Sequence, residues 1–338
     1  MTPRALKDVT KPLSDAGVTA THTSLRQALQ ASVSPEARIH MCHPFGDISG
    51  PDAWFTHCFA PLMEAMPDLE RRELIVLAGT TSASGNWVGI CGNYLGTFTR
   101  PFLGLLPTGR IAHMRFHEFY RIEDDTVVEI QAIWDLPELM MTAGQWPMAP
   151  QLGDRFLTPS PMTQDGLLAV DAFPGQGKAA QAHVIAMLTD MCRHPSQGGP
   201  EIMNLERYWH PRLNWYGPAG IGTSRGIQGF RDWHQIPFLR AMPDRALDPE
   251  GLASHWVAEG DYVCETGWPN MRQTLSVGGW LGLPPTGQKI ELRSLDFWHL
   301  QDGLIRENWV LVDLMHVYHQ LGVDVLERAG EFNKARVI

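Results

Sequence analysis

Apolar and polar positions change period along this chain, and they do so in the same order twice. From Val18 to Val33, after a polar start, apolar residues recur at helical spacing. Ile39 to Cys42 reads as a short strand. Pro51-Asp52 opens a helix towards Ala65, and Met66-Pro67-Asp68 stops it, because the residue before a proline disfavours the α region. Long strand patterns follow at 70–83, 86–99, 110–123 and 126–136, with Ser84-Gly85-Asn86 and Glu123-Asp124-Asp125 as hairpin turns. A stretch rich in Pro, Gly and Gln comes next, including Trp146-Pro147, Thr158-Pro159-Ser160-Pro161 and Phe173-Pro174-Gly175. The second series has helices at 178–193, 200–208 and 224–241 and strands at 213–216, 252–259, 261–276, 288–301 and 304–313, with a last short helix to Leu321. Helices followed by an antiparallel meander predict an α+β fold. The natural packing is a strongly bent sheet with helices across its concave face, which leaves a cone-shaped cavity.

The two series are related by sequence. A shift of 178 lays Gly104-Leu105-Leu106-Pro107-Thr108-Gly109 on Gly282-Leu283-Pro284-Pro285-Thr286-Gly287. It also matches Arg115 with Arg293, Phe119 with Phe297, Glu129 with Glu307, Asp135 with Asp313 and Gly144 with Gly322. A shift of 176 lays Ala65-Met66-Pro67-Asp68 on Ala241-Met242-Pro243-Asp244. A period this long exceeds the roughly 20–50 residues of solenoid repeats and means a duplicated domain. The expected organisation is a first domain over 1–145, a linker over 146–176 and a second domain over 177–338, the two copies forming an internal pseudo-dimer in a chain that is itself monomeric or homodimeric.

Composition narrows the function classes. A net charge of −10 without a basic stripe argues against nucleic acid or an anionic membrane as partner. Five cysteines without a C-x-x-C pair fit a reducing compartment. The start MTPRALKDVT lacks an apolar leader core and no long apolar run follows, so the protein is read as cytoplasmic. The histidines (His40 and His43 beside Cys42, His113 with His117, His316 with His319) do not reach a zinc pattern. Neither a phosphate loop, a dinucleotide fingerprint nor a nucleophile elbow appears, so neither metal nor cofactor is expected.

The second copy resembles the SnoaL-like polyketide cyclases of the NTF2-like superfamily. The resemblance rests on Trp209-His210-Pro211, Leu213-Asn214-Trp215-Tyr216-Gly217-Pro218, Ser224-Arg225-Gly226, Ala241-Met242-Pro243-Asp244, Asp296-Phe297-Trp298-His299 and Asp302 to Trp309, ending in Asp313 and Gln320-Leu321-Gly322. It implies two tandem NTF2-like domains, the first diverged. At the places of Asn308 and Trp309 the first copy has Ile130 and Gln131. It further implies a cofactor-independent ring closure of the aldol type on a polyketide or related apolar ester.

Asp313 ends an apolar strand on whose one face lie Trp309, Leu311 and Asp313. From position alone it is either a desolvated base or the N-cap of the next helix. The resemblance assigns it the general acid/base role, with Asp135 as its first-copy counterpart. Asp296 shares a strand face with Trp298, and His299 lies on the other; both are candidate proton carriers, with a salt bridge or a surface position as the structural alternatives. Glu118 is the first-copy counterpart of Asp296. Arg293 and Arg115 are either donors to a developing enolate or structural ion-pair members. Trp309, Trp298, Trp268, Trp256, Tyr216 and Asn308 are the expected contacts of a small apolar or aromatic ligand, though rings also fill cores. The competing readings are a non-catalytic ligand-binding protein and a hydrolase or isomerase of a small apolar compound on the same scaffold.

Overall fold

The computed structural model describes residues 1–81, 84–167, 176–247 and 250–334. The chain divides into two compact units: Met1–Pro147, Thr163–Ala169 and Asp313–Ile338 form the first, and Met148–Met162 with Val170–Val312 the second. The linker's Phe173-Pro174-Gly175 and the final residues 335–338 lie outside the described residues. Among the described residues no helix is long and apolar enough to cross a membrane.

The first unit begins with α1 (Pro3–Val18) and α2 (His22–Ser32). The sequence reading missed α1, whose apolar face is thin: Leu6, Leu13 and Gly17 are buried among exposed polar residues. Thr2 caps α1, and Thr21 with Ser24 forms a capping box on α2. Then come β1 (Val33–Met41), β2 (Asp47–Ser49), α3 (Pro51–Trp54), a π turn (Phe55–Phe59), α4 (Ala60–Ala65), β3 (Glu70–Thr81), β4 (Gly85–Thr97), β5 (Ile111–Glu123), β6 (Thr126–Trp134) and α5 (Leu136–Thr142). The sheet order is β2-β1-β6-β5-β4-β3, with β1 parallel to β6 and the rest antiparallel. Asp124 and Asp125 sit at positive φ, as a two-residue hairpin with right-handed strand twist requires.

The second unit has α6 (Gln176–Met191), α7 (Leu205–Tyr208), β7 (Trp209–Tyr216), β8 (Ser224–Arg225), α8 (Gly226–Phe230), a π turn (Arg231–Gln235), α9 (Ile236–Ala241), β9 (His255–Glu259), β10 (Tyr262–Thr266), β11 (Met271–Thr274), β12 (Lys289–Leu292), β13 (Ser294–Gln301) and β14 (Leu304–Val312). Its order, β8-β7-β14-β13-β10-β9 with β7 parallel to β14, repeats that of the first unit. The strand expected over 261–276 is split into β10 and β11, because Pro269 has no N–H for the ladder. The side-chain amide of Asn270 closes the gap: it donates to Ser294 O at 3.0 Å and accepts from Ser294 N at 2.9 Å. The last helices, α10 (Leu314–Gln320) and α11 (Val325–Lys334), belong to the first unit rather than to the second, where the sequence reading had them.

Several of the residues that match between the copies hold backbone. Asp68 accepts from Thr97 N and Oγ1, both at 2.6 Å, and Asp244 accepts from Thr274 N at 2.8 and 3.0 Å. Gly109 N donates to Phe98 O and Gly287 N to Leu275 O, both glycines at positive φ. Each helix after the last strand is capped by the matched aspartate: Asp135 accepts from Glu138 N at 3.2 Å, Asp313 from His316 N at 3.0 Å.

Candidate active site

The second unit's sheet presents two rows of side chains on one face. The first row is Trp298 on β13, Asn308 on β14 and Trp215 on β7, each opposite the next across the ladder. Two residues along, about 7 Å by strand rise, the second row is Glu265 on β10, Asp296 on β13 and Val310 on β14. α6, α8, the π turn and α9 lie over these rows. They leave a hollow of about 80 Å³ lined by Met187, Trp215, His234, Trp280, Asp296, Asn308 and others. A second hollow of about 200 Å³ shares Leu188, Arg245, Met271, Ser294 and Asp296 with it and adds Glu265, Asn270 and Gln273. Asp296 is thus common to both.

The π turn delivers polar groups from the helix side. Pro237 follows it, and a proline ring collides with the carbonyl four residues back in a regular helix. Widening the turn, with Ile236 N donating to Arg231 O, relieves that collision. The widened turn carries His234 and Gln235. The His234 ring stacks on Trp215 at 3.9 Å, and burial pushes its pKa down to about 3, with Arg245 adding to the effect. It is therefore neutral at physiological pH. Its Nδ1, both amide atoms of Gln235 and the indole nitrogens of Trp209 and Trp298 are buried without a hydrogen-bond partner. All four residues line the smaller hollow. Buried polar atoms are rarely left unmade, so this concentration marks a place built for a polar partner.

The two carboxyls stand directly opposite each other across an antiparallel pair, where Cβ atoms are about 4.5–5.5 Å apart. Ser254 Oγ donates to Glu265 at 2.5 Å and Ser294 Oγ to Asp296 at 2.9 Å. Burial raises Glu265 to about 7, against opposing hydrogen bonds from Ser254 and Asn270 and the charge of Arg245. Burial, and then the neighbouring Glu265 charge, hold Asp296 well above the usual carboxylate range. Asp296 is half-buried, and the hollows it lines receive its exposed part.

Of the expected site residues the structure brings together Asp296, Trp298 and Asn308. Asp313 lines neither of these two hollows. Strand alternation turns Asn308, Val310 and Val312 inward, and Asp313 lies in the first unit with one oxygen on His316 N and the other on His43 N at 3.0 Å. Trp309, Tyr216 and His299 are on the opposite face of the sheet. There Trp309 donates to Pro159 O, while Glu307 accepts from Tyr216 and lies 3.2 Å from His299 Nδ1. His299 is buried and stacked on Tyr262, not on the surface. Trp256 stacks on Trp298 at 5.7 Å without lining either hollow, and Arg293 lies over Trp268 at 4.6 Å. Glu265, His234, Gln235 and Arg245 were missed. A glutamate inside the apolar run Tyr262-Val263-Cys264-Glu265 was the available signal.

The first unit fills the same positions. Glu118, the counterpart of Asp296, faces Ile90 where the second unit has Glu265. It is fully buried and accepts from Arg71 at 2.7 Å, Tyr94 at 2.9 Å, Tyr120 at 2.5 Å and Trp134 at 2.9 Å. Phe59, Tyr94, Phe116 and Trp134 pack ring to ring around it. Arg115 pairs with Asp135 at 3.5 Å, the structural alternative for the arginine.

The architecture is α+β, with the same NTF2-like topology in each unit, and the second unit holds an enclosed acidic site. The SnoaL-like polyketide cyclase family model matches twice, over residues 18–142 and 199–321, and the chain belongs to that family. Similar solved structures include IdmH of Streptomyces antibioticus (20% identity, 41% of this chain and 98% of that one, TM-score 0.35). AclR of Streptomyces galilaeus is 18% identical (45% and 88%, TM-score 0.37), and TsrD of Streptomyces laurentii 25% (42% and 96%, TM-score 0.34). No curated protein matches the chain.

Proposed function

We propose that the second unit is an acid/base catalyst for a flat, largely apolar carbonyl compound, working by enolisation next to the carbonyl as an aldol-type ring closure demands. The observation that carries this reading is the place of Asp296: a carboxyl in a ring-lined hollow, beside unmatched donors, where burial pushes its pKa well above the usual carboxylate range. A carboxylic acid that stays neutral near pH 7 can give its proton to a carbonyl oxygen, and its conjugate base can take one back. The indole N–H groups of Trp298 and Trp209 and the amide of Gln235 are suited to hold a substrate oxygen without adding charge. Asp296 thus takes the role the resemblance gave to Asp313. The first unit, with its carboxylate locked to Arg71, serves as scaffold.

The reading is tested without knowing the natural substrate, by proton exchange next to the carbonyl of 1-tetralone in D2O, followed by NMR. The native chain should exchange these positions roughly 100-fold or more faster than buffer, and Asp296→Asn should lose that gain. Tetralone that binds without exchanging would favour the non-catalytic reading, and an Asp296→Asn variant as fast as the native chain would refute the assignment.

A further inference from the structure

Resting on that reading, we propose that Glu265 is the second member of a two-carboxyl catalytic unit, taking the carbon-bound proton while Asp296 supplies one to the carbonyl oxygen. The placement is geometric. Glu265 and Asp296 are opposed in register on the cavity face of β10 and β13, each is anchored by its own serine hydroxyl, and both line the larger hollow at its junction with the smaller. A substrate carbonyl lying over Asp296 puts the adjacent carbon towards Glu265.

The step balances within the pair. The C–H bond breaks and its proton forms an O–H bond on Glu265. The released electron pair becomes the carbon–carbon double bond of the enol, and the carbonyl π pair moves to oxygen. That oxygen takes the proton of Asp296, whose O–H bond breaks. Before and after, the pair carries one negative charge. A site this poor in water tolerates one charge far better than two.

The surroundings favour this division of labour. Arg245 faces both carboxyls and offsets a single charge. His234, the other titratable ring at the hollow, stays neutral. Cys192 and Arg272 line the larger hollow beside Glu265, and Arg272 is already engaged by Glu291 at 2.9 Å and Glu250 O at 2.7 Å. Asn270 bonds Glu265 and stabilises its ionised form. Burial raises both carboxyls, and a charge on Glu265 raises Asp296 further, which favours the proton on Asp296 when the pair holds one.

Two measurements on the full chain test the proposal. Carboxyl-carbon NMR should show the Glu265 carbon titrating near pH 7, and Glu265→Gln should move the Asp296 midpoint down by about one pH unit or more as the neighbouring charge is removed. An unmoved midpoint would overturn the pairing. In tetralone exchange the native rate should rise through pH 7 as Glu265 ionises. Glu265→Gln should be about 100-fold slower with a flat profile, whereas Glu265→Asp should keep a pH-dependent rise at reduced rate. If Glu265→Gln exchanges at the native rate and pH profile while Asp296→Asn is inactive, Glu265 has no part in the step and the single-carboxyl reading stands. If Asp296→Asn is itself as active as the native chain, the proposed function falls instead.

Discussion

Asp296 and Asp313 are both aspartates on or at the end of neighbouring strands rich in tryptophan, yet they do different work. Asp313 spends its oxygens on the N–H groups of His316 and His43, holding the start of α10. Asp296 has one serine hydroxyl and otherwise faces rings and a second carboxyl. Asp313→Ala should therefore cost about 1 kcal/mol of stability, the usual worth of an N-cap, seen as a lower melting temperature. Its exchange of tetralone protons should match the native chain; lost exchange at an unchanged melting temperature would contradict the capping role. Strand alternation was legible in the sequence, and it already set Asp296 with Trp298 on one face and Trp309 with Asp313 on one face. Which face the helices cover was not legible, because that depends on packing between distant segments. Glu265 escaped notice for a related reason: its opposition to Asp296 is a matter of register.

At the scale of elements, the site depends on an interruption. β4 runs unbroken over Gly85–Thr97, while β10 stops at Thr266 and resumes as β11 after Pro269. The proline was visible in the sequence, and reading 261–276 as one strand neglected it. At the break Asn270 replaces the lost ladder with two bonds to Ser294 and adds one to Glu265. Asn270→Ala should destabilise the chain by about 1–3 kcal/mol through the orphaned Ser294 backbone. It should also raise the Glu265 titration above its native midpoint, because a bond to the ionised form is gone. A midpoint that stays or falls would show that Asn270 does not tune the glutamate. The matched π turns make the complementary point. Both copies keep the widened turn ahead of a proline, but it carries Cys58 and Phe59 in one and His234 and Gln235 in the other.

Over the whole molecule, the duplication separates architecture from chemistry. Positions identical in both copies (Asp68 and Asp244, Gly109 and Gly287, Asp135 and Asp313) fix turns and caps. Positions that differ make the site: Glu265 against Ile90, Asn308 against Ile130, Trp298 against Tyr120, His234 against Cys58. The repeat therefore made the α+β fold readable from sequence and drew attention to Asp313, which caps α10, rather than to Asp296, which lines the hollows. The most direct test of where the chemistry lies is an indole N–H NMR titration of the native chain with 1-tetralone. The signals of Trp209 and Trp298, unpartnered in the second unit, should shift as the ketone binds, while that of Trp134, bonded to Glu118 in the first, should stay in place. A shift of Trp134 with Trp209 and Trp298 unmoved would place the ligand in the wrong copy and contradict the account.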